Sequence, residues 1–475
     1  MTNSEVIIGL EIHVQLNTKV KLFCNCLADY SKREPNTSIC PICAGQPGAK
    51  PMAFNSEALR CGLILVKALN LTPVMDKDIY VQRKHYFYPD LPSGYQRTSK
   101  PIGKGGNMEG VEIWEIHLEE DPGRYELKKG YVDYNRSGVP LAEIVTAPQI
   151  KSPSHAKEFL NRLESFLRYY NVVKDEVGSI RIDANISLAG HNRVEVKNIN
   201  SFSNVFAALN FEIKRQKNLL DQGVEVEQET RHFDESSGIT VRLRKKETAD
   251  DYRYLPDPDI LPIIIDSRLW NDIASAVSEF PSERAERFTQ QFGLESYDAG
   301  IITMEKEFAD LFESLAYGCG NSGTNAKNFA YWLRGPFRKH LNNHGVLFRK
   351  SGILKEDIET LYRLFSEGKL TDRATEKVLD KLIELRMRMT ETTGAVKSVD
   401  EIVSNEGLLR SVDYLYLKSL CSKAFIDESN RKSLDDYKAG KEKALFFIVG
   451  KLMRESNGRL DAKDIERELK VLLTI

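Results

Sequence analysis

Four of the chain's seven cysteines fall in KLFCNCLADYSKREPNTSICPIC (21–43), as C-x-C, a thirteen-residue gap and C-x-x-C. Two short cysteine pairs from two loops are the usual cage of tetrahedral Zn²⁺, and Pro41-Ile42 suits the tight turn inside the second pair. Four thiolates leave no open position for water or substrate, so Cys24, Cys26, Cys40 and Cys43 are expected to hold a structural zinc rather than to react. The alternative is four unrelated buried thiols. Carboxylates form the second cluster. GVEIWEIHLEEDPGR (110–124) is strand-like and then sets Glu119, Glu120 and Asp121 just before a Pro-Gly turn. Carboxylates at a strand end suit a hard cation such as Mg²⁺, above all one shared with a nucleotide's phosphates. Read alone, the same run is more often a solvated loop.

Recurrence strengthens the metal reading. Glu11 and His13 lie on the polar face of VIIGLEIHVQL, and Asp183 lies on the polar face of SIRIDANISL. Acids and a histidine in place of Lys, Ser and Thr suggest one shared concave surface. KHYFYPDLPSGYQ (84–96) adds a cation, Lys84, and the consecutive aromatics Tyr86, Phe87 and Tyr88, which either stack on a base or pin the loop to the core. In VEVKNINSF, Glu195 and Lys197 share a strand face. PIGKGGN lacks the spacing of G-x-x-x-x-G-K-[ST], and neither G-x-S-x-G nor a Cys-His nucleophile context occurs, so nucleotide chemistry here would not use a P-loop.

The elements that must position these groups are strands in the first half. Val6, Ile8, Leu10, Ile12, Val14 and Leu16 alternate with polar residues, as do Ile180, Ile182, Ala184, Ile186 and Leu188, and Ile239, Val241 and Leu243. One oily and one polar face mean antiparallel sheets covered on one side. HAKEFLNRLESFLRYY (155–170) and FSNVFAALNFEIKRQKNLL (202–220) read as the covering helices. After the turn-rich 251–262 the chain becomes helical near Pro281, with a stripe of Ile358, Leu361, Leu364 and Phe365 ending at Gly368, a second through Val378, Leu379, Leu382 and Ile383, and a break near Thr393–Ser398. The fold class expected is therefore α+β. It comprises an antiparallel-sheet cradle with a zinc knuckle over 1–292, an all-helical domain over 293–400 and a small helical tail over 401–475.

At 475 residues, 41% hydrophobic and 29% charged, the chain is a multi-domain globular protein. It has no apolar run near the roughly 18 residues that span a bilayer and no secretory or transit-type N-terminus, so the cytoplasm is the expected compartment and no membrane is involved. A net charge of −2 means that nucleic-acid contact must come from a local patch. One candidate is NRKSLDDYKAGKEKALFFIVGKLMRESNGR (430–459), whose eight cations, Lys438, Lys441, Lys443, Lys451 and Arg454 among them, stand against four acids for a local +4. A solvated helical hairpin explains that charge equally well.

In order along the chain, GLEIHVQL, KLFCNC…CPICAGQPGA, KHYFYPDLPSGYQ, HLEEDPGR, DYNRSGVPLAEIV, GSIRIDANISL, VEVKNINSF, ETRHFDE, DDYRYLPDPD and DYKAGKEKALFFIVGKLM resemble the B-subunit family of aspartyl/glutamyl-tRNA amidotransferases, over nearly the whole length. The resemblance implies a cradle, a helical domain and a tail that grips tRNA. It also implies ATP- and Mg²⁺-dependent phosphorylation of the side-chain carboxylate of Glu or Asp mischarged on tRNA(Gln) or tRNA(Asn). Ammonia from a partner amidase (A) subunit then displaces phosphate, with a small C subunit completing a heterotrimer. By motif, Glu11, His13, Glu119, Glu120 and Asp183 would form the Mg²⁺ and phosphoryl-transfer site, with Glu120, Glu119 and Glu11 catalytic. Lys84, Lys197 and Arg231 would contact phosphate or carboxylate. Pro122, Arg124 and Ile182 depart from common bacterial members, and no synthetase-like insertion is present, which points to the three-subunit type. The competing reading is a zinc-containing RNA-binding scaffold without catalysis.

Overall fold

Val6–Gln15 forms the strand its alternation predicts, with Ile8, Leu10, Ile12 and Val14 buried beneath it. The computed structural model describes residues 5–126, 129–176, 178–245, 252–277, 279–318, 323–389, 398–410, 414–456 and 460–474. Cys319, Arg459 and the expected break at 393–397 lie outside the described residues. The chain divides into two units, 1–280 and 281–475.

The first unit runs β1 (Val6–Gln15), α1 (Ser56–Ala68), β2 (Thr72–Pro73), β3 (Val81–His85), β4 (Tyr95–Ser99), β5 (Gly103–Met108), β6 (Val111–Glu120), β7 (Arg124–Glu126), β8 (Tyr131–Asp133), β9 (Pro140–Thr146), α2 (Pro153–Tyr169), β10 (Ile180–Leu188), β11 (Val194–Ile199), α3 (Phe202–Asp221), β12 (Glu229–Asp234), β13 (Ile239–Lys245), β14 (Leu255–Pro256) and α4 (Ser267–Ala276). The large sheet has the order β13-β12-β11-β10-β1-β9-β6-β4-β3-β14, with β5 pairing to β6 and β2 to β5, while β7 and β8 form a separate hairpin. Its described neighbours run antiparallel except β11 and β12, which are parallel. The exception has a cause: α3 crosses between them over the oily face, and a helical crossover returns the chain in the same direction.

The covering helices start at polar caps. Asn55, Ser152 and Ser201 accept backbone N–H groups at the heads of α1, α2 and α3, and Pro153 occupies the first turn of α2. Phe159, Leu160, Leu163 and Leu167 of α2 join Ile8, Leu10, Ile12, Ile182 and Ile186 in one core. Each such fully buried side chain contributes about 1.5–3 kcal/mol of transfer free energy. The opposite sheet face keeps its polar residues. At the β13 end Ile239, Val241 and Leu243 are 40%, 46% and 56% exposed, so this edge strand carries an uncovered apolar stripe.

The second unit is helical: α5 (Pro281–Phe292), α6 (Ser296–Ile302), α7 (Lys306–Gly318), α8 (Gly323–Trp332), a π-helical turn at Leu333–Phe337 containing Pro336, α9 (Arg338–Asn343), α10 (Lys355–Ser366), α11 (Asp372–Met389), α12 (Val399–Asn405), α13 (Tyr414–Ile426), α14 (Arg431–Lys438), α15 (Leu445–Glu455) and α16 (Ala462–Thr474). Its buried side chains form two separate cores, one from Phe288 to Leu408 and one from Leu417 to Leu469. Among the described residues no helix is long and apolar enough to cross a membrane.

Candidate active site and metal centre

Register decides which polar side chains meet. Directly opposed residues share a face, and Glu11 of β1 stands opposite Asp183 of β10. His13 stands opposite Arg181 of β10 on one side and Glu143 of β9 on the other. On β6, Glu119 pairs with Leu141, two residues along β9 from Glu143 and on the same face. A cavity of about 180 Å³ over this face is lined by Glu11, His13, Glu119, Glu143, Asp183, Arg181, Lys84 and Lys197, with Tyr86, Gln96 and Tyr252 at its wall. His13 Nε2 lies 3.6 Å from Glu119 Oε1 and 4.0 Å from Glu143 Oε1. Asn185 Nδ2 donates to Glu11 Oε1 at 3.2 Å.

So many acids in one buried place repel each other. Burial, then Glu143, lift the Glu119 carboxyl to about 7 against the pull of His13 and Lys84. Burial, then Glu143 and Asp183, lift Glu11. The two lysines feel the same field with opposite sign. Burial opposes the charge on Lys84, but Glu119 and Glu143 outweigh it and raise the ammonium. Lys197, 3.1 Å from Asp183 Oδ2 and 3.6 Å from Glu195 Oε1, is likewise raised over its burial by Asp183, Glu195 and Glu11. Lys84 also sits 4.7 Å from the ring centre of Tyr252. Carboxylates that resist ionisation, with a histidine among them, are a donor set that a divalent cation would relieve. They do not form a closed cage: among the described residues only the cysteines lie close enough together to surround one ion. Mg²⁺ needs no such cage, because it takes one or two protein carboxylates and fills the rest with water and phosphate.

The cysteine cluster does close. The sulfurs of Cys24, Cys26, Cys40 and Cys43 all lie within 4.8 Å of one another, with 3.9 Å from Cys43 to both Cys40 and Cys26. A tetrahedron with Zn–S of about 2.3 Å needs sulfurs about 3.8 Å apart, so the spacing fits. Lys21, 1% exposed, donates to Ser38 O at 3.0 Å and to Cys43 Sγ at 3.4 Å. A hydrogen bond from Cys24, helped by Lys21 against burial, holds the Cys43 thiol down at about 4. Gly45 closes the knuckle with φ of +64°, and a Cβ there would come within 2.5 Å of the Pro92 carbonyl carbon. The knuckle thus abuts the loop that follows Lys84. It also reaches the end of β1 through Tyr30 Oη, which accepts from Gln15 Nε2 at 2.9 Å.

Residues 6–271 match the family described as the GatB/GatE catalytic domain, and residues 310–473 match the one described as the GatB domain. The B-subunit of the aspartyl/glutamyl-tRNA(Asn/Gln) amidotransferase of Methanopyrus kandleri is 44% identical over 467 residues, covering 98% of each chain. That of Methanocaldococcus jannaschii is 44% identical over 466 residues, 97% of this chain and 96% of that one. The Methanococcus aeolicus protein of the same name is 42% identical over 469 residues and 98% of each. The chain belongs to this B-subunit family.

Within this family member the candidates raised by the sequence separate. Glu11, His13, Glu119, Asp183, Lys84 and Lys197 come together in one cavity. Glu120 does not join them. Consecutive strand residues point to opposite faces, and its carboxylate instead accepts from the Arg97 backbone N–H at 3.1 Å and lies 3.3 Å from Arg97 Nη1. Arg97 in turn reaches Asp257 at 2.9 Å. Burial raises the Glu120 carboxyl, with Arg97 opposing. Arg231 does not join them either. It lies under α3, donating to Thr240 and Glu229 at 2.8 Å each and 3.1 Å from buried Glu212. Of the aromatics, Tyr86 is pinned through Gln96 at 2.7 Å, whereas Phe87 is 94% exposed. Tail cations Lys441 and Lys451 pair with Asp436 and Asp427 at 2.9 and 2.6 Å, and Lys438 stands 6.0 Å from the Phe425 ring. Glu143 and Arg181 escaped the sequence reading. The signal for Glu143 was a lone acid in the otherwise apolar PLAEIV, and for Arg181 its place two residues before Asp183 on the same strand face.

Proposed function

We propose that this chain is the amide-forming subunit of a tRNA-dependent amidotransferase. In this reading the side-chain carboxylate of Glu on tRNA(Gln), or Asp on tRNA(Asn), accepts the terminal phosphoryl group of ATP, and ammonia then displaces phosphate to leave the amide. A carboxylate oxygen leaves poorly, and phosphorylation turns it into a good leaving group. The observation that carries the reading is the convergence of Glu11, His13, Glu119, Glu143 and Asp183 with Lys84 and Lys197 on one sheet face. Bound Mg²⁺ would supply charge neutralisation at the phosphoryl oxygens. Glu11, His13, Glu119, Glu143 and Asp183 are the groups that would hold it. Lys84 and Lys197, kept charged by their acidic neighbours, would orient the anionic ends of the substrates. Glu119, facing the cavity 3.6 Å from His13, would be placed to take a proton from the attacking ammonia. We assign that role to Glu119 rather than Glu120, whose carboxylate Arg97 engages.

The ammonia would come from a partner amidase (A) subunit, with a small C subunit in a cytoplasmic heterotrimer. The absence of a recognisable hydrolase nucleophile in the sequence supports a division of labour between chains. The knuckle would bind structural Zn²⁺, supported by its sulfur spacing. Residues 401–475 would form a tail that grips tRNA through Lys438, Lys441, Lys443, Lys451 and Arg454, supported by the local excess of positive charge and a core of their own. The test is reconstitution with both mischarged tRNAs. ATP consumption should require mischarged tRNA and Mg²⁺, and Glu119→Gln should abolish amide formation while tRNA binding survives. ATP-independent amide formation, or full activity in that variant, would overturn the assignment.

A further inference from the structure

Arg181 enters the cavity from β10 opposite His13, and among the described residues its guanidinium is held at one corner. Nη2 donates to Asp121 Oδ2 at 2.7 Å, while Nε is buried without a hydrogen-bond partner among the described residues. A buried donor left unmade is costly, and native structures rarely tolerate one without a reason. Asp121 is built to aim this group. Its side chain is fully buried, its Oδ2 also accepts from Gln15 Nε2 at 2.6 Å, and Arg136 Nε stands 3.5 Å from Oδ1. Arg136 is itself fixed by the carbonyls of Pro122 and Gly123 at 2.9 and 2.6 Å. Asp121 therefore has a second cation for its charge, which leaves the free side of Arg181 for something else.

We infer that Arg181 is a substrate-contacting clamp for an oxyanion, phosphoryl or carboxylate, and that Asp121 is the positioning residue that holds its fork towards the cavity. A planar guanidinium matches both anions with paired donors, which a lysine cannot reproduce. The cavity's other two cations, Lys84 and Lys197, are point charges already set among Tyr252, Asp183 and Glu195, so the directional contact falls to Arg181. This inference rests on the reading of the cavity as the phosphoryl-transfer site.

The test uses the reconstituted complex with mischarged tRNA, ATP and Mg²⁺. Arg181→Lys should lower kcat/KM by about tenfold to a hundredfold, the size of a lost charge-assisted hydrogen bond. A rise in KM for ATP alone marks a phosphoryl contact, and a rise in KM for aminoacyl-tRNA alone marks a carboxylate contact. Asp121→Asn should raise the same KM by a smaller factor. Arg181→Ala should regain activity when guanidinium ion is added at millimolar concentration, which repair of a folding defect would not produce. Wild-type kcat/KM in Arg181→Lys for both substrates would overturn the inference. So would a loss confined to kcat with no guanidinium rescue, the pattern of a merely structural ion pair. A wild-type complex that forms no amide would instead sink the functional reading itself.

Discussion

In a Glu119→Gln chain the side chain keeps its shape and loses its charge. The carboxyl it replaces is lifted from the ordinary glutamate value of 4.5 to about 7, first by burial and then by Glu143. At about 1.4 kcal/mol per unit, that gap corresponds to a penalty of at most about 3.5 kcal/mol on the folded state once the group ionises. The sign follows from the direction. Below pH 4.5 the carboxyl is protonated in both folded and unfolded chains and imposes no penalty. Between pH 4.5 and about 7 the unfolded chain releases its proton first, so the native protein loses stability as pH rises, and the loss is complete above about 7. Because Glu119 interacts with His13 and Glu143, relaxation of those neighbours trims the effect to about 1–3 kcal/mol. The assay is urea unfolding of both chains at about pH 4.5 and about pH 8 without added divalent cation. The variant should gain on the wild type by that amount at the higher pH relative to the lower. An unchanged separation at the two pH values, or a variant that loses ground at the higher one, would refute the claim that crowded acids strain this cavity.

Glu120→Gln should behave differently, lowering stability by about 1–3 kcal/mol because buried Arg97 loses part of its compensation. Amide formation in that variant should stay within about tenfold of wild type, against a loss of at least about a hundredfold in Glu119→Gln, as read by kcat. Cys40→Ser with Cys43→Ser should cut zinc from one per chain to none by metal analysis and cost several kcal/mol in unfolding, with activity per folded complex preserved. Truncation after Arg410 spares Leu408 in the first helical core and should raise KM for tRNA by about tenfold or more with zinc unchanged. An unaltered KM would remove the tail from tRNA recognition.

The strands were legible because their alternation is driven by burial of one face, and the same periodicity placed Glu11, His13 and Asp183 on the other. What the periodicity could not supply was register between strands. Without it, Glu119 and Glu120 looked like equal partners, although a period of two forces one of them away from the cavity. Arg231 shows the same gap: the motif ETRHFDE singled it out, but nothing in the sequence said that α3 would cover it and bring Glu212 to it. Glu143 hid in a strand so apolar that a single acid looked incidental. The parallel pairing of β11 with β12 depends on where α3 crosses, which is a tertiary fact. The π-helical turn at Leu333–Phe337 likewise answers to packing around Pro336 rather than to any local pattern.

The two ends of the large sheet are finished differently. At one end β14 is two residues long, too short to template another strand. At the other, seven-residue β13 offers backbone donors and acceptors beside Ile239, Val241 and Leu243, with Arg242, bound to Glu227 at 2.9 Å, as the nearby guard charge. Among the described residues no further strand pairs with that edge, and two such edges brought together at high concentration can pair with each other. Yield and monodispersity of the chain made alone will therefore be set by concentration more than by fold stability. Val241→Lys would be a gentle way to keep preparations soluble without touching the cavity.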